Sequence, residues 1–263
     1  MVFESLFGAR DIEGHPLLMF VAGFLYTFVS VFLSLIVHPD AASILSVGLA
    51  TVAATPLMVK VVEFEARMLE LFPRSLATRQ KRIIALYAWF MLGAVSGFTL
   101  AYLLLPQDLF LSAAHFQLQD LGYVARVRTL ITGRALAPQA FDVIFNNNLR
   151  VYLLGVLLSF VYGTGGVFLI TWNASIIATL LAYEIRSSGI LVGMYQFLSI
   201  LPHGILEFMA YFIGGFTGAL ISVAIFKERA KKTILLDAFI LFVVGVVLLW
   251  IGAWVESALF FLQ

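Results

Sequence analysis

His203 and Glu207 stand four residues apart in the segment Pro202-His203-Gly204-Ile205-Leu206-Glu207, inside a strongly apolar stretch of the chain. On a helix that spacing puts both side chains on one face, within hydrogen-bonding reach when the rest of the face is packed. An imidazole paired with a carboxylate can titrate, carry a proton or hold a metal ion. The same two groups can also simply satisfy each other and lock two helices together. Glu184 and Arg186 lie upstream, in Glu184-Ile185-Arg186-Ser187-Ser188-Gly189, and Glu256 lies near the carboxyl end. A charge at the centre of a membrane helix costs about 2.5–3.5 kcal/mol on insertion scales, so such residues normally face a partner, a cavity or a pathway. Glu184, Arg186, His203 and Glu207 therefore form the candidate polar centre. Asp237, close to Lys231 and Lys232, reads as one half of an interfacial ion pair, whereas Glu256 fits an interfacial or a buried position equally well.

Other chemistries find less support. Catalytic zinc typically takes three protein ligands and keeps one position open. Of the four histidines, His15, His38 and His115 fall outside the apolar runs, and the chain has no cysteine. No His-Glu-x-x-His or paired-Asp motif accompanies His203 with Glu184 and Glu207. No catalytic residue, metal centre or cofactor is expected, and an intramembrane metalloenzyme is the weakest of the functions open to the chain.

The elements that must position these groups are membrane helices. Of 263 residues, 62% are hydrophobic and 12% charged, with a mean hydropathy of +1.03, whereas soluble domains carry about 25% charged residues. Continuous apolar runs of about 20 residues match a hydrocarbon layer about 30 Å thick; a membrane β-barrel would instead alternate apolar and polar residues over about ten. Residues 1–16 are acidic and mixed, unlike a cleavable signal peptide. The fold expected is all-α, with crossings at 17–37, 41–59, 83–105, 151–171, 174–201, 203–226 and 234–255. The fifth is interrupted at 184–189. A broken helix at membrane depth needs protein or water to cover it and forms midplane binding sites in transporters; alternatively, two short helices meet there at the membrane surface.

Lys and Arg mark the cytoplasmic side. With residues 174–201 crossing once, eleven basic residues fall inside, four outside (Arg126, Arg128, Arg134, Arg150), and Arg186 within the membrane region. The expected location is the cell membrane, multi-pass, with the amino terminus cytoplasmic and residues 106–149 outside. The connector 60–82 contains a short amphipathic stretch at 63–72, read as an interfacial connector or a partner-docking surface. The 44-residue outer segment 106–149 exceeds an ordinary loop and carries apolar residues such as Phe110 and Leu118, so short helices lying on the bundle are expected there. The organisation is a single bundle over 1–263, with three helices in 1–105 preceding the outer segment.

Phe145-Asn146-Asn147-Asn148-Leu149-Arg150 is a dense polar patch before the fourth run. Asn146, Asn147 and Asn148 fit capping of the following helix, or covering of another broken helix end. Asn173-Ala174-Ser175 has the glycosylation pattern, but this topology puts it on the cytoplasmic side. Gly214 and Gly218, with Gly215 between them, have the small-xxx-small spacing that lets helices approach closely; it serves packing within the chain or a homodimer.

In order, the Asn146–Asn148 patch with Arg150, a glycine-rich helix, Asn173, the Pro202-His203-Gly204-x-x-Glu207 segment, the glycines 214, 215 and 218, and an acidic residue at Glu256 resemble the SpoIIM family. These are the stage II sporulation protein M-like membrane proteins, and the resemblance covers residues 140–260. One departure is Asn173-Ala174, where the family often has Asn-Gly. The resemblance implies an integral membrane protein without known hydrolase activity of its own. In spore formers the family's namesake anchors peptidoglycan-degrading partners at the membrane. The first expectation for this chain is thus a membrane scaffold, its partners the lipid bilayer, other proteins or a second copy, and not nucleic acid. The alternative is a transporter or channel-like protein for a small solute, ion or lipid, using the polar centre.

Overall fold

The computed structural model describes residues 16–71, 76–122, 137–162, 165–226 and 231–259. Among these residues it contains helices and no strand. The long helices are α1 (Leu17–Val37), α2 (Ala42–Leu71), α3 (Leu76–Leu104), α6 (Ala137–Tyr162), α7 (Gly166–Ser188), α8 (Ile190–Phe226) and α9 (Lys231–Leu259). Two short helices, α4 (Gln107–Ala113) and α5 (115–122), follow α3. Seven helices are long and apolar enough to cross a membrane, and they correspond in order to the seven expected runs.

α1 and α9 lie close to the hydropathy-based limits. α2 runs on to Leu71, α3 starts at Leu76, and α6, α7 and α8 are displaced outright, because hydropathy finds the apolar centre of a helix and says little about its ends. A helix continues through polar residues as long as each backbone group finds its partner one turn away. Hence α6 starts at Ala137, and Asn146–Asn148 sit within it instead of capping a helix that begins at 151. The expected run 151–171 is divided, since α6 ends at Tyr162 and α7 begins at Gly166. Asn173 consequently lies inside α7, donating its amide to the Leu169 carbonyl at 2.8 Å. The interruption expected within 174–201 narrows to Gly189, whose φ of +93° is left-handed and favours glycine. Pro202 stands inside α8 and does not open a helix. The stretch 63–71 continues α2 without a break, and its side chains lie outside the described residues. So do residues 1–15, 72–75, 123–136 and 227–230, which carry much of the basic charge used for orientation.

The chain divides into two compact units that interleave along the sequence: 1–118 with 167–193, and 119–166 with 194–263. In the first, α1 packs along α3 through glycines. A Cβ added at Gly23 would run into the Phe90 carbonyl, one at Gly93 into the Phe20 carbonyl, and one at Gly97 into the Phe24 carbonyl and the Thr27 hydroxyl. Thr27 fastens the same seam by donating to Gly23 O at 2.9 Å and reaching Ala94 O across the interface at 3.2 Å. Phe98, Tyr102, Phe110, Ala178 and Ala182 fill the adjoining core. Gln117, fully buried, receives the Ser43 hydroxyl at 2.5 Å and donates to Ser175 Oγ at 3.1 Å. These bonds tie α2, α5 and α7 together.

The second unit is built from α6, most of α8, and α9, around Tyr152, Ala210, Tyr211 and Leu249. Its glycines are occupied within the chain. Gly214 lies on the Tyr152 ring, Gly215 faces Gly166, and Gly218 abuts the Val156 carbonyl and Ser159. Gly245 of α9 meets Tyr152 toward its hydroxyl end, and that hydroxyl donates to the Phe242 carbonyl at 3.0 Å. The small residues of α8 and α9 thus make room for one large aromatic side chain from α6.

Candidate functional site

Three helices of the second unit bring polar side chains to one place. From α6, Asn148 turns inward and is buried, while Asn146 and Asn147, just before it on the same turn, are exposed. The amide of Asn148 donates to Glu207 Oε1 on α8 at 2.5 Å. Its carbonyl oxygen accepts the hydroxyl of Tyr211, one turn further along α8, at 3.1 Å. Glu207 also faces Glu256 of α9. Glu256 Oε1 lies 4.0 Å from His203 Nε2, and these two side chains are only 17% and 12% exposed. The cluster is therefore Tyr211–Asn148–Glu207–Glu256–His203.

Each helix reaches the cluster for a local reason. His203, Glu207 and Tyr211 follow one another at intervals of four along α8, so they form one stripe. Gly252 on α9 sits opposite: a Cβ there would touch the Cγ of Glu207 and lie near the His203 carbonyl. The small residue lets α9 approach, and Glu256, one turn on, then reaches the stripe. Gly204 is buried between the side chains of Ile200 and Phe208, and Pro202 is exposed beside them.

The chemistry of the cluster follows from its donor count. Two carboxyl groups, Glu207 and Glu256, come together beside the imidazole of His203, and Asn148 supplies a hydrogen-bond donor to the first of them. Asn148 bridges the carboxyl pair to Tyr211, using its amide as donor and its carbonyl as acceptor. Among the described residues, no group of three or more His, Cys, Asp or Glu side chains is arranged to hold a metal ion.

The remaining candidates have contacts of their own. Glu184 and Arg186 belong to the last turns of α7, in the first unit. The Arg186 guanidinium donates to the carbonyls of Tyr102 and Leu105 at 2.8 and 2.9 Å, contacts that of Leu103 at 3.4 Å, and bonds Gln107 Oε1 at 3.2 Å. It also lies over the Phe110 ring, 5.1 Å from the centroid. Carbonyls at a helix carboxyl end have no partner within the helix and carry the negative end of its dipole, so Arg186 closes the end of α3. Glu184 is half-buried on the same helix. Asn146 donates to the Asp142 carbonyl at 2.7 Å, the Asn147 amide lies 3.4 Å from Asn148 Oδ1, and Arg150 is exposed.

A first expected result concerns Arg186. Arg186→Ala strands several carbonyls at once and should lower stability by about 2 kcal/mol, within the range for buried polar groups that lose a partner. Arg186→Lys, a point charge without the planar fork, should recover less than half of that. Chemical denaturation in detergent micelles measures both. Equal midpoints for the parent and Arg186→Ala would remove the cap from the account.

Tyr211 and Gly252 were not anticipated from sequence. Their signals are local: Tyr211 stands four residues after Glu207 and Gly252 four before Glu256.

Comparison with known proteins gives one match. The family model for Stage II sporulation protein M (SpoIIM) matches residues 17–259, nearly the whole described chain. No curated protein and no solved structure matches.

Proposed function

This chain belongs to the SpoIIM family, and on that premise we propose that it is an integral membrane scaffold whose second unit is fastened by the Asn148–Glu207–Glu256–His203 cluster. One observation carries the reading: Asn148 of α6 bonds both Glu207 and Tyr211 of α8, and Glu256 of α9 lies within 4.0 Å of His203 beside them. Polar groups satisfied in this way hold helices in a fixed arrangement and offer a rigid base for partners. The distribution of basic residues supports a cytoplasmic amino terminus with 106–149 outside. The outer segment, with 123–136 at its centre, is then the surface that engages an extracytoplasmic protein. No reaction is assigned to the cluster.

Membranes holding a tagged chain test this directly. The parent chain should recover a partner in fixed proportion. A variant with 123–136 replaced by a Gly-Ser linker of equal length should lose it while keeping its denaturation midpoint. Recovery no greater than from control membranes, or recovery unchanged by the linker, counts against the scaffold.

A second reading has its own observation, the gathering of the Glu207 and Glu256 carboxyl groups beside His203. Ionisable groups inside membrane proteins mark proton relays and ion pathways, and the cluster would then serve a transporter for a small solute, ion or lipid. Vesicles containing the purified chain and a trapped pH dye separate the two. The scaffold predicts no proton flux above protein-free vesicles. Flux that disappears in Glu207→Gln, with the protein still folded, would transfer the assignment to transport.

A further inference from the structure

We propose that residues 190–201, the first three turns of α8, form an arm lying along the lipid boundary of one leaflet, on the side opposite the basic segment 227–232, and that the crossing itself starts at Pro202. The argument begins with length. α8 has 37 residues, about 55 Å of helix at 1.5 Å per residue, against a hydrocarbon layer of about 30 Å. Tilt alone would have to reach roughly 55–60° to absorb the difference, beyond the range of about 0–40° that membrane helices adopt.

The surplus falls at one end. Lys227, Arg229, Lys231 and Lys232 follow Phe226 directly and hold that end of the helix at an aqueous boundary. One crossing, about 20 residues back from Phe226, reaches Glu207. There Asn148, Glu207 and Glu256 gather, as suits polar groups near the opposite boundary. Counting back a further turn to the proline, Ile190 to Leu201 lies beyond the crossing, and this stretch contains no charged residue.

Water does not suit such a segment. Leu191 and Tyr195 are 82% and 69% exposed, and Met194 and Leu198 share their stripe. Apolar surface left in water costs about 25 cal/mol per Å², whereas the headgroup–acyl boundary covers it and takes tyrosine readily. The arm has a joint at each end. Gly189, with its left-handed φ, separates it from α7, and Gly193 packs against Ile185 beside that turn. At the other end Pro202 has no N–H for the Leu198 carbonyl, so α8 can bend there without losing another bond.

The chain has no cysteine, which makes single-site labelling clean. Leu191→Cys, Tyr195→Cys and Leu198→Cys, each carrying a nitroxide, are compared with Val243→Cys in α9 after reconstitution into phosphatidylcholine vesicles. All four positions are exposed on the protein, and the three arm sites act as independent replicates. Depth is read from collisions with oxygen and with a water-soluble nickel chelate. The arm requires the three labels at one shallow depth, level within a few ångströms, and Val243 far deeper. A depth that increases steadily by about 10 Å from 191 to 198, at 1.5 Å per residue, would make the segment part of a steep crossing and overturn the proposal. Free nickel access without oxygen enrichment overturns it in favour of water. Dipolar broadening that vanishes on dilution with unlabelled chain overturns it in favour of a second copy.

Discussion

Asn148→Leu should lower the stability of the folded chain by about 2–4 kcal/mol. Hydrogen bonds between membrane helices average about 0.6 kcal/mol, but leaving a buried polar group without its partner costs about 1–3 kcal/mol, and more for a carboxylate. The larger figure applies best here, because one substitution deprives both Glu207 and Tyr211 of a partner. The sharper test is a double-mutant cycle. Glu207→Leu alone should also destabilise, and Asn148→Leu with Glu207→Leu should be less damaging than the two effects added, by at least about 1 kcal/mol, as for residues in one network. Denaturant midpoints in micelles supply all four corners. Strict additivity would mean that Asn148 and Glu207 do not act together.

The second large effect belongs to the first unit. Gly97→Leu should leave little or no folded protein, because the added side chain starts inside the Phe24 carbonyl and the Thr27 hydroxyl. Overpacking usually costs 1–3 kcal/mol where side chains can adjust; here a backbone carbonyl stands in the way and two helices must separate. Gly48→Leu is the matched control, since nothing lies within 4 Å of a Cβ at that position. Yield of monodisperse protein after extraction should fall at least tenfold for Gly97→Leu and stay within twofold of the parent for Gly48→Leu. Comparable yields from both would remove close packing as the reason for glycine in α3.

The number and order of the membrane helices were legible in the sequence because a bilayer selects for length and apolarity, both written residue by residue. The ends of α6, α7 and α8 were not. Asn146–Asn148 looked like a cap because three adjacent asparagines are rare inside a membrane helix. Only the three-dimensional arrangement shows that one of them points at Glu207 while its neighbours point away. His203 and Glu207 could be paired by spacing, and Glu256 by its place in the family pattern, but no rule of spacing joins α6 to α8 and α9. Glu184 and Arg186 were grouped with His203 and Glu207 because they are near in sequence. In the structure they fall in the other unit, and Arg186 meets the backbone of α3. The seam of Gly23, Gly93 and Gly97 was passed over because glycines are common in membrane helices, and which ones touch backbone depends on the partner.

The interleaving of the two units imposes an order on biogenesis. α6 is synthesised before α7, the last helix of the first unit, and well before α8 and α9. Asn148 leaves the ribosome 59 residues ahead of Glu207, about 3–12 s at 5–20 residues per second. During that interval α6 holds a polar side chain with its eventual partner not yet made, and the insertion machinery or lipid headgroups must shelter it. A nascent chain stalled between α7 and α8 would still lack both partners of that asparagine, Glu207 and Tyr211.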